Sequence, residues 1–392
     1  MGEWRNCVIA DIGTVVGGAT PSTKNSANYD DGGIAWITPK DLSSHVGRYI
    51  ARGERNISEY GMHSCSTRLL PKNTVLFSSR APIGYIAIAS NELCTNQGFK
   101  SVVPNDDIDP LFLYYLLKYN KEKIENMGSG TTFKEVSGTT MKNINVRLPI
   151  DKKEQIAIAS ILGELDNRIE LNYAINKNLE EQAQAIFQRK FIDFDRLPRG
   201  WKEASLLDIA DYINGLPMQK FRPLDNELGL PVLKIKELRQ GFCDASSDLC
   251  TQSIKSIYIV HDGDVIFSWS GSLMLDFWCG DTCGLNQHLF KVTSKRYDKW
   301  FYFSWTKYHL NKFIAIAADM ATTMGHIKRN ELSKAKVLVP SLDDYHSIGE
   351  LMEPLYARII TNRVESRHLS SLRDSLLPYL LSGEADISNI HI

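Results

Sequence analysis

The chain lacks the patterns that mark several large protein classes. Its 392 residues contain no apolar run that approaches a membrane span, and the start, Met-Gly-Glu-Trp-Arg, leads into no apolar segment. The seven cysteines are an odd number and are scattered; Cys279 and Cys283 form the one close pair, with no zinc-finger spacing to histidine. We therefore expect a cytoplasmic protein with free thiols and no membrane partner.

Motifs of catalysis are also missing. The sequence has no Gly-x4-Gly-Lys-Ser/Thr phosphate loop, no His-Glu-x-x-His, no Gly-x-Ser-x-Gly nucleophile elbow and no kinase motif set. The Asn/Asp-Pro-Pro-aromatic loop, by which amino-methyltransferases hold a target base, is absent too. The sequence therefore argues against an enzyme active site, and we expect no cofactor or metal bound by this chain.

Two stretches carry an apolar heptad pattern. Within Gln155–Phe187, residues at alternating spacings of four and three form an a/d seam from Ile158 to Ile186, and the same count runs from Ile348 to Leu380. This pattern predicts two long helices that pair with each other. The second seam lies 190 residues after the first, so that Asn172 falls on Asn362.

A similar globular stretch precedes each predicted helix. Trp4 opens the first stretch and Trp201 the second, and residues 130–149 align without a gap onto residues 321–340. Each copy also contains a short buried strand ending on Ser and, later, an aromatic helix. The chain is therefore a duplicated domain-plus-helix rather than an array of short repeats.

We predict a mixed α/β fold with two similar globular domains separated by two long antiparallel coiled-coil helices, in a pseudo-two-fold internal repeat. Parallel helices would require Phe194 and Pro340 to lie about 50 Å apart, which is unusual for the ends of one domain. Asn172 and Asn362 could then hydrogen-bond across the seam and fix its register, or could lie solvated at its edge. The predicted boundaries are 1–150 and 193–342 for the domains, 151–192 and 343–384 for the helices, and 385–392 for a tail.

Polar loops make both globular stretches candidates for contacting nucleic acid. Arg80 could make a bidentate contact to guanine or form a salt bridge at a strand end. Asn and Gln at 96–97 and 286–287 could contact adenine, although capping of the local backbone is favoured. Lys40 and Lys236, at matched loop starts, could neutralise phosphates. The candidate DNA-binding residues are Lys40, Ser79, Arg80, Asn96, Gln97, Thr131, Thr132, Lys134, Lys236, Trp269, Ser270, Asn286, Gln287, His288, Thr322, Thr323, His326 and Lys328.

The duplicated layout resembles the specificity subunit of type I restriction-modification systems. The helix stretches carry Leu165-Asp-Asn-Arg-Ile-Glu-Leu-Asn172 and Tyr356-Ala-Arg-Ile-Ile-Thr-Asn362, and the second ends in Leu376-Leu-Pro-Tyr-Leu-Leu-Ser-Gly-Glu384. Phe77-Ser-Ser-Arg-Ala-Pro-Ile-Gly84 and Thr95-Asn-Gln-Gly98 are similar to the family's target-recognition domains. The resemblance covers essentially the whole chain.

This resemblance implies two target-recognition domains, each reading one half of a bipartite, asymmetric site in double-stranded DNA, with the helix pair setting the gap. It implies a non-catalytic subunit that recruits two methyltransferase subunits and, in the full complex, two restriction subunits. S-adenosylmethionine, ATP and magnesium would belong to those partners. Since Arg80-Ala-Pro has become Trp269-Ser-Gly and Gly98-Phe has become His288-Leu, the halves are expected to read different sequences.

Two alternatives stay open. The chain could be the DNA-reading component of a type IIB-like or methylation-only system, which differs in the neighbouring subunits. It could also be a two-headed protein-binding scaffold that binds no nucleic acid. Binding to DNA through phosphates weakens steeply as salt rises, and this dependence separates the scaffold from the DNA reader.

Overall fold

The computed structural model describes residues 3–43, 45–130, 134–319 and 327–383. The chain divides into two compact units, which we call unit 1 (Met1–Leu171 with Leu369–Ile392) and unit 2 (Asn172–His368). Each unit is a mixed α/β domain together with part of two long helices. Among the described residues, no helix combines the length and the apolar character that crossing a membrane requires.

The strands of unit 1 form one large and one small sheet and a separate pair. In chain order they are β1 (Trp4–Val8), β2 (Gly13–Gly17), β3 (Tyr29–Ile37), β4 (Tyr49–Ile50), β5 (Asn56–Ile57), β6 (Val75–Ser79), β7 (Ile83–Ala89), β8 (Cys94–Thr95), β9 (Lys100–Pro104) and β10 (Asn145–Pro149). The large sheet has the order β2-β9-β6-β7-β4, and the small one β5-β3-β8. Strands β4 and β7 are parallel, as are β3 and β8, and β1 pairs antiparallel with β10.

The core of unit 1 lies where an aromatic helix packs on the large sheet. Its shorter helices are α1 (Ile9–Ile12), α2 (Pro39–Ser43), α3 (Glu59–His63), α4 (Pro110–Tyr119), α5 (Lys121–Asn126) and α6 (Gly138–Lys142). Helix α4 spans the predicted aromatic stretch, and its start is capped by Asp109, whose Oδ1 accepts from the Phe112 N–H at 2.8 Å. Phe112 and Tyr115 are fully buried in one cluster with Phe77 of β6.

Unit 2 repeats this arrangement with its own strands and helices. The strands are β11 (Lys202–Ser205), β12 (Asp211–Asn214), β13 (Leu230–Leu233), β14 (Leu249–Cys250), β15 (Ile259–Val260), β16 (Val265–Ser268), β17 (Met274–Phe277), β18 (Cys283–Leu285), β19 (Leu289–Thr293) and β20 (Lys336–Val339). One sheet has the order β12-β19-β16-β17 and the other β14-β13-β18-β15. The parallel pair β13 and β18 corresponds to β3 and β8 of unit 1, and β11 pairs antiparallel with β20 as β1 does with β10.

The two long helices are α7 (Lys152–Phe187), which continues as a π-helical turn over Gln188–Ile192, and α12 (Leu342–Leu381). Between them along the chain lie α8 (Leu206–Ile209), α9 (Ile235–Gln240), α10 (Lys299–Asp319) and α11 (Arg329–Lys334). Every predicted seam position of both long helices is buried or partly buried. The predicted class, mixed α/β with two similar domains and two long helices, is confirmed.

Within unit 2 the long helices run antiparallel. The Asn172 Nδ2 donates to the Ser366 Oγ at 3.3 Å, and the Asn176 Nδ2 donates to the Ile359 carbonyl oxygen at 3.3 Å. As α7 advances by four residues, its partners therefore move back along α12. In unit 1, Arg373 of α12 pairs with Asp166 of α7 at 2.5 Å.

The asparagines of the seam pair differently from the prediction. Asn172 and Asn362 are both buried, which contradicts the alternative of solvated side chains. However, the Asn362 Nδ2 donates to the Asn176 Oδ1 at 2.8 Å, while the Asn172 Nδ2 bonds to Ser366 and to the Glu365 Oε2 at 3.0 Å. The Asn362 backbone oxygen is a more distant acceptor for Asn172, at 3.5 Å. Residues at equivalent positions of the sequence repeat therefore do not face each other across the helix pair.

Candidate nucleic-acid interface

In unit 1 the end of β6 and the turn after β8 are joined by hydrogen bonds. The Ser79 N–H donates to the Gly98 carbonyl oxygen at 2.7 Å, and the Ser79 Oγ donates to the same oxygen at 3.2 Å. Ser79 is fully buried, so its side chain organises the backbone of this turn. The chain then reverses through Ala81, whose φ of +46° lies in the left-handed region.

Arg80 lies at this turn as one of two cations that share a carboxylate. Its Nη1 is 3.7 Å from the Glu135 Oε2, and the Lys100 Nζ is 3.3 Å from the Glu135 Oε1. The Arg80 side chain keeps 36% of its surface exposed, so the long ion pair leaves room for a further partner. Because two positive charges face one negative charge, the cluster formed by Arg80, Lys100 and Glu135 carries a net positive charge.

Asn96 and Gln97 have different surroundings. The Asn96 Oδ1 accepts from the Gly98 N–H at 2.8 Å, so this side chain caps the local backbone. Gln97 is exposed, and its Oε1 accepts from the Thr20 hydroxyl. A Cβ on Gly18 would lie 2.1 Å from the Thr95 carbonyl oxygen, so that only glycine permits this close approach of the two segments.

Unit 2 builds the same turn with equivalent residues. The Asn286 Oδ1 accepts from the His288 N–H at 3.3 Å, and a Cβ on Gly215 would lie 2.2 Å from the Asn286 carbonyl oxygen. The Gln287 Nε2 and the His288 Nε2 are 3.4 Å apart, and His288 is exposed. The two units therefore share one backbone frame and present different side chains on it.

The structure corrects one equivalence between the halves. In unit 1 the Val136 N–H donates to the Ser79 carbonyl oxygen at 2.9 Å, and in unit 2 the Ile327 N–H donates to the Trp269 carbonyl oxygen at 3.1 Å. Trp269 is therefore the counterpart of Ser79, and the alignment of Arg80 with Trp269 is wrong by one residue. The sequence supports the corrected register, because Val75-Leu-Phe-Ser78 and Val265-Ile-Phe-Ser268 are 190 residues apart, as are Asn96 and Asn286.

Ser270 is consequently the counterpart of Arg80. Gly271 then corresponds to Ala81, and both have positive φ, at +66° and +46°. Ser270 is 6% exposed, and its Oγ lies 3.1 Å from the His288 Nδ1. The position that carries a cation in unit 1 thus carries a small polar side chain in unit 2.

Aromatic rings replace the charged cluster in unit 2. The Trp269 ring stacks on Phe290, with centroids 5.7 Å apart, and lies 6.2 Å from the His288 ring. The Trp269 Nε1 donates to the Asn214 Oδ1 at 3.2 Å. Phe290 pairs with Asn214 at the end of β12, as Lys100 does with Gly17 at the end of β2. Stacking and apolar contact are therefore the chemistry offered at this turn.

The lysines at matched loop starts are exposed in both units. The Lys40 Nζ lies 2.6 Å from the Glu54 Oε2, and the Lys236 Nζ donates to the Ser246 Oγ at 2.7 Å. The hydrogen bond to Glu54 raises the pKa of Lys40, so the ammonium stays charged. Lys134 and Lys328 are exposed as well. Thr131, Thr132, Thr322, Thr323 and His326 lie outside the described residues.

Two functional candidates, Lys100 and Glu135, were not identified from the sequence. Lys100 begins a strand, and Glu135 follows the glycine-containing stretch at 128–130. They are 35 residues apart and meet because the backbone of Glu135 pairs with Ser129 and bridges Arg80. The sequence of either segment alone carries no signal for this contact.

The chain contains two similar α/β domains, each followed by a long helix and each with the same turn. Residues 1–181 and 198–367 match the family described as type I restriction modification DNA specificity domain. The chain is 33% identical, over 99% of its length and 95% of the relative's, to the type I restriction enzyme MjaIX specificity subunit of Methanocaldococcus jannaschii. It is 22% identical to the type I restriction enzyme HindI specificity subunit of Haemophilus influenzae, over 81% of this chain and 87% of that one.

A solved structure has a similar fold. The crystal structure of the type I restriction-modification system S subunit from M. genitalium superposes with a TM-score of 0.62 at 16% identity. The similarity covers 97% of this chain and 96% of that chain. On the family match and the full-length relative, this chain belongs to the specificity subunits of type I restriction-modification systems.

Proposed function

We propose that each domain reads one half of a bipartite, asymmetric site in double-stranded DNA, with the helix pair setting the gap between the halves. The observation that carries this proposal is the turn that recurs in both units. One backbone frame, held by Asn96 or Asn286, presents Arg80 and Lys100 in unit 1 and Trp269, stacked on the buried Phe290, in unit 2. A reader of two different half-sites needs a constant scaffold with variable contact chemistry.

The side chains at these turns match two kinds of base contact. The Arg80 guanidinium can donate to the O6 and N7 of guanine in the major groove, and Lys100 adds positive charge beside it. The partly exposed Trp269 ring, stacked on the buried Phe290, offers an apolar surface to a thymine methyl group. Exposed Lys40 and Lys236 neutralise phosphates and contribute affinity rather than sequence preference.

We further propose that the chain is not itself catalytic. It recruits two methyltransferase subunits and, in the full complex, two restriction subunits, which bring S-adenosylmethionine, ATP and magnesium. Membership of the type I specificity family supports this assignment, as do the catalytic motifs missing from the sequence. The acidic outer faces of the helices, which include the exposed Glu181, are the proposed surface for the methyltransferase subunits. Glu180, predicted for the same surface, instead pairs with Arg363 of α12 at 2.9 Å.

Methylome sequencing tests the proposal directly. The chain is expressed with its cognate methyltransferase subunit in a host free of methylation. A split, non-palindromic motif with one fixed gap is expected. A contiguous or palindromic motif would keep DNA reading but overturn the proposal that the helix pair sets a gap between two half-sites. If the complex assembles and adds no methylation, the protein-binding scaffold becomes the better description, and salt-independent binding to the partner would then support it.

A further inference from the structure

Arg48 joins the domain of unit 1 to helix α7 through a set of hydrogen bonds. Its backbone N–H and its Nε both donate to the Glu170 Oε1, at 2.8 Å and 3.0 Å. Its Nη2 donates to the Glu170 Oε2 at 3.2 Å and to the Asn167 Oδ1, and its Nη1 donates to the Gly163 carbonyl oxygen at 3.2 Å. We call these four residues the Arg48 clamp.

The clamp is almost closed to solvent on the arginine side. Arg48 has 5% of its side chain exposed and Glu170 has 30%. A guanidinium that is bonded to a carboxylate through two nitrogens has a fixed orientation as well as a favourable charge interaction. The clamp therefore restrains both the orientation of Arg48 and its distance from Glu170.

Two glycines permit this close contact. A Cβ on Gly163 would lie 3.2 Å from the Arg48 Nη1 and 3.3 Å from the Leu111 Cδ2. Gly47 has a φ of +113°, a backbone conformation that favours glycine, and faces the Glu170 side chain. The close approach of Arg48 thus explains why position 163 is glycine, a residue that is otherwise unfavourable inside a long helix.

The clamp connects α7 to the sheet that carries the candidate DNA contacts. The Ile88 N–H of β7 donates to the Arg48 carbonyl oxygen at 2.7 Å. Strand β7 pairs with β6, which ends at Ser79 and leads into Arg80. A continuous path of hydrogen bonds therefore runs from Glu170 through the large sheet to the candidate turn.

The domain also contacts α7 nearer its start. The Gln155 Oε1 accepts from the Asp109 N–H at 2.9 Å, and the Tyr115 hydroxyl donates to the Asp166 Oδ2 at 2.6 Å. Glu170 lies 15 residues beyond Gln155, which is about 22 Å along a helix. The clamp therefore adds a further point of attachment of the domain to α7, about one helical turn beyond Asp166.

We propose that Arg48 is a positioning residue. It fixes the orientation of the first domain relative to α7 and thereby restricts the complex with the methyltransferase subunits to a single gap length. This inference rests on the proposed function, since a gap exists only if two half-sites are read. The clamp bonds no group at the candidate turn directly, so its loss leaves the half-site sequences unchanged. Loss of the clamp instead widens the range of domain orientations in which both domains can contact DNA.

The test is methylome sequencing of Arg48→Ala in the complex with the cognate methyltransferase subunit. We expect methylation at sites whose gap differs by one base pair to rise about tenfold over the wild type, since charge-assisted hydrogen bonds of this kind contribute on that scale. Both half-sites are expected to stay as in the wild type. Arg5→Ala is the matched control, because Arg5 pairs with Asp107 at 3.0 Å in the same unit.

The remaining outcomes distinguish failure of the clamp's role from failure of the proposed DNA-reading function. A single unchanged gap in Arg48→Ala, or an altered half-site, would overturn the role of the clamp. If Arg48→Ala does not fold, as judged by thermal unfolding, Glu170→Gln decides in its place, because it keeps an acceptor and removes the charge. A wild-type complex that produces no split motif would instead refute the proposed function.

Discussion

The side-chain amide of Asn362 donates to the Asn176 Oδ1 at 2.8 Å, across the seam of the two long helices in unit 2. Among the described residues, no donor lies within hydrogen-bond distance of the Asn362 Oδ1. The pair therefore costs some stability, while its hydrogen bond specifies which residues of the helices are opposite each other.

Replacing one member of this pair is expected to cost more than replacing both. Asn362→Leu removes the donor to Asn176 and leaves a buried polar group unsatisfied, which lowers the free energy of unfolding by about 1–3 kcal/mol. The double variant Asn176→Leu/Asn362→Leu removes both polar groups and should recover most of that loss. Urea unfolding measures the difference, with exposed Asn178→Leu as the control. A double variant less stable than the single one would contradict this account.

The sequence predicts the extent of the first long helix but not which asparagines bond across the seam. The heptad pattern placed the first long helix at 155–187, and the structure begins it at Lys152 and ends it at Phe187. Periodicity reports which face of a helix is buried. It does not report which residue of the partner lies opposite, and so Asn176, not Asn172, bonds to the side chain of Asn362.

Some residues of the candidate site can likewise be predicted from the sequence, and others cannot. The matched pairs Gly18 with Gly215 and Asn96 with Asn286 were visible in the repeat, because one backbone geometry requires the same small or capping residue in both halves. Glu135 was not found, because its role depends on a contact across 35 residues with Lys100. Such contacts arise from strand pairing and are not encoded by local spacing.

Lys118 gives unit 1 a testable dependence on pH. Burial lowers the pKa of this side chain to about 8, and the positive charge of Arg373 acts in the same direction. The unfolded chain, with a pKa near 10.4, binds more protons between these values. Lys118 should therefore add stability as pH rises from 8 to 10, while buried thiols such as Cys94, whose pKa burial raises to about 11, act in the opposite direction.

Lys118→Met is expected to remove this contribution, because position 118 then takes up no proton on unfolding. The stability of the wild type relative to the variant should therefore increase from pH 8 to pH 10. Thermal unfolding at pH 8, 9 and 10 measures it, and exposed Lys72→Met serves as the control. The range stops at pH 10 because burial also raises the pKa of Tyr114, and that group lowers stability at still higher pH. A difference between Lys118→Met and wild type that does not change with pH would show that Lys118 does not titrate in this range.

Lys40 should contribute to affinity without contributing to sequence preference. Its side chain is 78% exposed, so its ammonium can reach a phosphate by leaving Glu54. Lys40→Ala is expected to weaken DNA binding by the complex for all sequences and to reduce the slope of log K against log salt by about one. Fluorescence anisotropy from low to high salt measures the slope. Lys72→Ala is the control, since Lys72 precedes β6 whereas the candidate turn follows it; an unchanged slope in Lys40→Ala would exclude a phosphate contact.

Arg80 should contribute to sequence preference in the first half-site alone. Arg80→Ala is expected to relax one position of that half-site, with a loss of about 1–3 kcal/mol of discrimination, and to leave the second half-site and the gap unchanged. Glu135→Gln weakens the ion pair that orients Arg80, so it should relax the same position less strongly. Ser270→Ala, at the counterpart of Arg80, should affect the second half-site alone. Methylome sequencing compares all three, and an Arg80→Ala complex with an unchanged first half-site would assign Arg80 to the ion pair only.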